Sequence, residues 1–163
     1  MHSRIFQVSK EPIDKEDYIT ESDFWDHWFT NSVADYVSDK CYRDEDLKWF
    51  EDCYEEKGIK FGVDDNGEYL IIESKVKYFE KSFKRFKELL EKINSYDITG
   101  FKKWIDEFWE LKNEYEEKYG FYIHLDGDEL MTLDDFARTY PENVKFYIGG
   151  TIDYHCWYNT KLI

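Results

Sequence analysis

The segment from Ile59 to Ile72 constrains the fold more than any other part of the sequence. Two short apolar runs, Ile59–Val63 and Glu68–Ile72, flank the tetrapeptide Asp64-Asp65-Asn66-Gly67. Asn-Gly between such runs is a strong signal for a β-hairpin, because a tight turn needs residues that accept a positive φ. A hairpin pairs its strands antiparallel, so we expect an antiparallel sheet around this unit.

Further strands are predicted on both sides of this hairpin. The short runs Arg4–Val8 and Phe121–Leu125 are β-like. Near the end of the chain, Gly149-Gly150 separates two apolar runs, residues 143–148 and 151–158, which we interpret as a second hairpin.

Five segments carry apolar residues at the three- and four-residue spacing of an amphipathic helix. One starts at Asp23 and extends to Val37. The next is capped by Asp44, has Leu47, Phe50 and Tyr54 as its buried seam, and is closed by Gly58. A helix with its apolar residues at 79–93 and a helix over 101–119 form a predicted helical hairpin, and a short helix starts at Thr132. The inward face predicted for the second member of that hairpin comprises Phe101, Trp104, Ile105, Phe108, Leu111, Tyr115 and Tyr119.

The pattern predicts an α+β fold: an antiparallel β-sheet built from hairpins, with packed helices including the long helical hairpin. No repeat, linker or low-complexity tract divides the sequence, so residues 1–163 are expected to form one domain.

The charge balance excludes several classes of partner. The chain has 37 acidic and 22 basic residues, a net charge of −15, and 33 aromatic residues. Nucleic acids and anionic membranes would repel such a protein, so we expect neither direct nucleic-acid binding nor membrane association. The three cysteines (Cys41, Cys53 and Cys156) include no CxxC pair, which is typical of reduced thiols in a cytoplasmic protein.

No motif in the sequence specifies a reaction. Glycine-rich phosphate loops, GxSxG and HExxH are missing, and the acidic stretch from Asp126 to Asp135 does not fit an EF-hand. Asp153 and His155 lie two residues apart in a predicted strand and therefore share a face, which is the minimum of an acid–base pair. Two such residues at strand spacing arise easily by chance, and a hydrogen-bonded surface pair is the better explanation, so we assign no catalytic residue, metal or cofactor.

Rows of carboxylates on two predicted helices are the remaining signal. Residues three or four apart share one side of a helix. The helix that starts after Arg43 carries two rows. One row comprises Glu45, Asp52 and Glu56, and the other comprises Asp44, Glu51 and Glu55, with Trp49 beside them. The later helix carries Asp106, Glu110, Glu114 and Glu117 at spacings of 4, 4 and 3.

These rows indicate a non-catalytic inhibitor or binding protein that engages a basic surface. Carboxylates a few ångströms apart resemble the phosphates of a nucleic acid, which follow one another at about 3.4 Å of axial rise along each strand. The most specific hypothesis is a nucleic-acid mimic that blocks a DNA- or RNA-binding enzyme, as anti-CRISPR and anti-restriction proteins of phages and mobile elements do. One alternative is an immunity-type or regulatory protein that plugs a basic toxin or enzyme site. Another is a small enzyme with a cleft around Asp153 and His155, with His124 as a further member. A homodimer is compatible with all three.

Overall fold

The structure is a computed structural model that describes residues 1–116 and 118–156, without the side chains of residues 113–116. Its helices are α1 (Trp28–Ser32), α2 (Arg43–Tyr54), α3 (Lys75–Asn94), α4 (Trp104–Glu116) and α5 (Leu133–Thr139). Its strands are β1 (His2–Ser9), β2 (Tyr36–Ser38), β3 (Ile59–Asp64), β4 (Gly67–Ile72), β5 (Tyr122–Leu125), β6 (Glu129–Thr132) and β7 (Lys145–His155). Short 3₁₀ turns cover Lys15–Asp17, Glu21–Phe24 and Phe101–Lys103.

The strands form a single mixed sheet in the order β3-β4-β7-β1-β5-β6. All neighbouring pairs are antiparallel except β1 and β5, which run parallel. The short strand β2 pairs with the last three residues of β7. The predicted α+β class with a mainly antiparallel sheet is thus confirmed.

Both faces of the sheet are covered, because successive strand residues point to opposite sides. On the first face Phe6, Leu70 and Phe146 pack with residues of α2 and α5. On the second face Ile5 and Tyr154 pack with the segment that contains the first two 3₁₀ turns and α1. The two faces therefore hold two separate hydrophobic clusters.

Helix α2 buries the predicted seam. Phe50 is fully buried against Phe6 and Phe121, with Leu47 and Tyr54 packed around the same cluster. The predicted ends were wrong by a few residues. Tyr42 rather than Asp44 occupies the N-cap position, and the helix ends at Tyr54, before Gly58.

Two other predictions from local pattern were wrong. Residues 23–37 do not form one helix, since Asp26 has a left-handed backbone (φ 59°) and His27 caps the short helix α1 instead. Gly149-Gly150 is not a turn but lies inside the continuous strand β7. A Cβ on Gly149 would sit 2.4 Å from the Gln7 side-chain oxygen, so close approach explains the glycine.

Helices α3 and α4 are consecutive and pack against each other. The inward orientation predicted for α4 was wrong for Phe101, Trp104, Ile105 and Phe108, which are all exposed. Predicted inward residue Tyr115 belongs to the stretch without described side chains. Among the α4 side chains that the structure describes, the buried one is Glu107, which accepts hydrogen bonds from Tyr96 Oη (2.7 Å) and Lys92 Nζ (3.1 Å). Among the residues that the structure describes, no helix combines the length and apolar character of a membrane span.

Candidate functional site

Helix α2 presents its predicted carboxylates to solvent. Glu45, Glu51, Asp52 and Glu55 are exposed, and Glu56 follows the helix in a left-handed conformation. Asp52 accepts a 2.7 Å contact from Lys48 on the same helix. Within the described residues, no basic nitrogen lies within 4 Å of the other four carboxylates. The acidic face of α2, defined by these five carboxylates, therefore retains most of its negative charge.

Asp46 has a different environment from its neighbours on α2. It is only 3% exposed. Its carboxylate accepts from Arg4 Nε (2.6 Å) and from Thr151 Oγ1 (2.8 Å). Asp46 thus anchors the helix to the sheet and does not belong to the acidic face.

Trp49 lies beside the acidic face and is 40% exposed. The Arg4 guanidinium carbon is 5.3 Å from its ring centroid, and the ring meets Phe121 edge-on at 4.9 Å. The inner side of the indole is therefore fixed by packing, while its outer side is open to a partner.

The predicted row on α4 is partly used within the protein. Asp106 is exposed. Glu110 forms an ion pair with Arg85 of α3, so its charge is balanced locally. Glu114 falls among the residues without described side chains, and Glu117 lies outside the described residues.

Phe121, which lies after α4 in the sequence, contacts residues of α2. Phe121 follows α4 by five residues, and its ring lies 5.4 Å from that of Phe50 and 6.0 Å from that of Tyr54. Phe121 therefore packs against the buried seam of α2.

Exposed aromatic and aliphatic side chains cover one side of α4 and the turn before it. This surface, which we call the aromatic face, comprises Phe101, Trp104, Ile105, Phe108 and Trp109, with exposures between 37% and 53%. So many large apolar groups on one exposed helix are typical of an interaction surface.

Asp153 and His155 do lie on one face of β7, but each has its own partner. His155 Nδ1 is 2.9 Å from both carboxylate oxygens of Asp35. Asp153 contacts His2 Nδ1 at 3.0 Å and also binds the guanidinium of Arg4. The two imidazole rings lie 4.8 Å apart.

His124 does not join this pair. It faces the opposite side of the sheet, where its ring packs against Phe24 at 6.0 Å. The predicted three-residue cleft is therefore not formed. The expectation based on sequence overlooked His2 and Asp35, whose partners are distant in the chain.

Cys41 lies near this region, and its Sγ donates to the carbonyl oxygen of Thr151 at 3.3 Å. Burial raises the pKa of its thiol, with a smaller effect from Asp46. A raised thiol pKa lowers the fraction of reactive thiolate, so Cys41 is poorly suited to be a nucleophile. In the described part of the chain all three cysteines are free.

A cavity on the second face of the sheet was not predicted. It has a volume of about 310 Å³, and we call it the aspartate cavity. Its polar wall consists of Gln7, Asp17, Asp23, His124, Asp126 and Asp128. In the sequence, the residues around Asp126 were considered only as a calcium loop, and they do not fit the EF-hand pattern. Residues 17 and 23 are brought to them only by the fold, so sequence spacing does not reveal the cavity. No set of three or more metal-ligating side chains in metal-binding geometry occurs among the described residues.

Comparison with known proteins gives no family assignment. A scan against protein-family models produced no match, and searches of curated proteins and of solved structures likewise produced none. The function has to be inferred from the surfaces described above.

Proposed function

We propose that this protein is a non-catalytic, cytoplasmic binding protein that engages a basic surface of another protein. The observation that carries the proposal is the acidic face of α2, whose carboxylates are exposed and mostly without a basic partner. Such a surface stabilises contact with Lys and Arg side chains and accelerates association with a basic protein.

The most specific form of the proposal is a nucleic-acid mimic that blocks a DNA- or RNA-binding enzyme. Glu51 and Glu55 are separated by about 6 Å along the helix axis, since each residue rises about 1.5 Å. The acidic face therefore offers negative charges at intervals of the same order as the phosphates of one strand, about 3.4 Å apart along the axis. An enzyme that binds phosphates through Lys and Arg would meet a similar charge pattern on α2.

The aromatic face of α4 would supply binding energy from buried apolar contacts, which charge attraction alone does not provide. Aromatic residues are enriched in the buried centre of protein interfaces, and a few of them often carry most of the binding energy. Trp104 and Trp109 would provide such anchors, while the carboxylates of α2 guide the approach of the partner.

The proposal is tested by capturing partners from a lysate and eluting them with salt. A charge-reversed variant replaces four carboxylates of α2 with lysine: Glu51, Asp52, Glu55 and Glu56. A control variant carries the same change of charge at exposed positions elsewhere: Asp65, Glu73, Glu80 and Glu91. The native protein and the control should retain a nucleic-acid-binding protein that added DNA or RNA displaces, whereas the α2 variant should lose it. Equal retention by both variants would contradict the proposal.

The same experiment distinguishes a nucleic-acid mimic from the immunity-type alternative. A protein that plugs a basic toxin or enzyme site also loses its partner when α2 is reversed. In that case the captured protein would not be displaced by nucleic acid. The competition step therefore distinguishes mimicry of a nucleic acid from simple blocking of a basic site.

A small enzyme is the second candidate function, and the arrangement of His2 and His155 favours it. Each imidazole has one nitrogen held by a carboxylate, which is how a catalytic histidine is usually oriented. The pair lies where the central strands β1 and β7 begin and end, and His2 and Tyr36 are exposed there. Any activity of the purified protein that His155→Ala abolishes, and that His27→Ala leaves intact, would favour this candidate over the binding protein.

A further inference from the structure

Helix α4 has one side packed on α3 and another side covered with exposed apolar groups. On the packed side, Glu107 binds Lys92 of α3. The helical members of the aromatic face form two pairs at four-residue spacing, Trp104 with Phe108 and the next residue of each pair. Residues at this spacing share one side of a helix. The aromatic face is therefore a continuous surface, and it points away from α3.

The area of the aromatic face matches what a weak protein–protein interface needs. A large side chain of this kind offers roughly 150–250 Å² of surface. The five members are between 37% and 53% exposed, so together they present about 450 Å² per molecule. Two such faces in contact would bury about 900 Å² before the polar rim is counted, and weak interfaces lie below about 1,200 Å². The face is therefore large enough for a weak complex.

The charges along α4 favour a partner helix that runs in the opposite direction. Lys102 and Lys103 directly precede its first turn, whereas Glu114 and Glu116 belong to its last turn, whose sequence contains no basic residue. Acidic residues near the carboxyl end of a helix oppose its macrodipole, and cations there are stabilising. A second α4 packed antiparallel would bring its lysines to this end, and its acidic end to the lysines of the first copy.

We infer that the aromatic face binds the aromatic face of a second copy of this chain, with the two α4 helices antiparallel. Because both molecules use the same surface, the assembly closes as a two-fold dimer. The opposite charges at the two ends of α4 set the direction of the pair. The acidic faces of α2 cannot form such a contact, since two surfaces of the same negative charge repel each other.

The inference goes beyond the proposed function, because it concerns the occupant of the aromatic face before a basic partner is bound. A partner anchored on Trp104 and Trp109 would replace the second copy, so dimerisation and partner binding exclude each other. The dimer is measured with the purified protein alone. Its existence is therefore tested independently of whether α2 engages a basic protein.

The first test is sedimentation velocity of the purified protein over a range of concentrations. The dimer should dominate at about 300 µM and dissociate below about 1 µM, because an interface of this size is weak. A protein that remains monomeric at about 300 µM would overturn the inference.

A matched pair of variants locates the interface. Ile105→Lys combined with Phe108→Lys places two charges on the aromatic face and should give a monomer at the highest concentration. Val63→Lys combined with Val76→Lys makes the same change of charge on β3 and α3, at positions 74% and 80% exposed, and should leave the dimer intact. Thermal unfolding followed by circular dichroism verifies that both variants are folded. A dimer that survives the α4 variant, or that the control abolishes, contradicts the inference; the second result would indicate pairing through the edge strand β3.

Charge exchange tests the antiparallel direction while the aromatic face stays unchanged. Lys102→Glu combined with Lys103→Glu should weaken the dimer about tenfold, since acidic groups then meet at both ends of the pair. Adding Glu114→Lys and Glu116→Lys to the same chain should restore the native affinity.

A control variant for the charge exchange, Lys57→Glu combined with Lys60→Glu, changes the net charge by the same amount at exposed positions and should leave the affinity unchanged. Equal weakening in this control, or no recovery in the fourfold variant, would refute the antiparallel pair.

The charge-reversed α2 variant separates this inference from the proposed function. It should lose the basic partner and still form the dimer, because its aromatic face is native. If that variant became monomeric, the acidic face would be part of the dimer contact and the inference would be wrong. If the native protein formed the dimer but captured no basic protein, the proposed function alone would fail.

Discussion

The carboxylate of Asp46 offers a strong test of the structure, because it is buried although the two acids that precede it, Asp44 and Glu45, are solvent-exposed. We consider Asp46→Ala, which removes the acceptor for Arg4 Nε at 2.6 Å and for Thr151 Oγ1 at 2.8 Å. Alanine fits an α-helix well, so any loss of stability comes from these contacts and not from the backbone.

The expected loss follows from what stays behind in the protein. Thr151 is buried, and its hydroxyl would keep only the weak 3.5 Å contact with Cys41 Sγ, so the loss lies within the range of about 1–3 kcal/mol for a poorly satisfied buried group. Arg4 would retain its bond to Asp153, so its charge is not left wholly unpaired. Removal of one partner of a buried ion pair costs about 3–5 kcal/mol, and the remaining bond of Arg4 places Asp46→Ala near 3 kcal/mol.

The assay is chemical denaturation monitored by tryptophan fluorescence, which gives the free energy of unfolding. Asp44→Ala is the matched control, because it lies two residues away on the same helix with a side chain 96% exposed. The control should lose less than about 1 kcal/mol. If Asp46→Ala proved as stable as Asp44→Ala, the burial of Asp46 and the position of α2 on the sheet would both be refuted.

Other predictions concern the core, the strand β7 and the protonation of His124. Phe50→Ala should lower the free energy of unfolding by about 3–5 kcal/mol, whereas Trp109→Ala, at an exposed site, should lower it by less than about 1 kcal/mol; denaturant titration checks both. Gly149→Ala should cost about 1–3 kcal/mol in the same assay, because the new Cβ meets the Gln7 oxygen that accepts from two backbone N–H groups. Burial lowers the pKa of His124, so the folded state binds fewer protons than the unfolded state just below the ordinary histidine pKa of about 6.5. The free energy of unfolding should therefore fall as the pH drops from about 7 through this range, and more steeply than in His124→Phe; parallel curves for the two proteins would contradict this assignment.

Local patterns predicted the elements whose structure depends on local contacts. The β3–β4 hairpin is present, although the two-residue loop is Asp65-Asn66 and Gly67 already belongs to β4. The seam of α2 was also predictable, since helical spacing alone brings Leu47, Phe50 and Tyr54 to one side. The start of α5 follows from Thr132, whose side chain accepts from the backbone N–H of Asp135.

The features that sequence could not provide depend on contacts between distant residues. Gly149 and Gly150 suggest a turn, but they occur in a strand because the segment after β1 packs closely on it. The apolar residues of α4 have helical spacing, yet the polar groups Lys92 and Tyr96 select Glu107 as the buried position. The aspartate cavity likewise combines residues more than 100 positions apart.

The acidic residues cannot be told apart by their sequence pattern, but their environments in the structure differ. Asp46 and Glu107 are buried and hydrogen-bonded, and Glu110 is paired with Arg85. Open carboxylates occur together on α2, on one face of the sheet, and around the aspartate cavity, on the other, as well as at scattered positions such as Asp65 and Glu80. Because the repulsion among open carboxylates opposes folding, their accumulation at two separate places is costly unless a cation neutralises them there. The distribution of charge, more than its total, therefore supports a function that depends on binding basic groups.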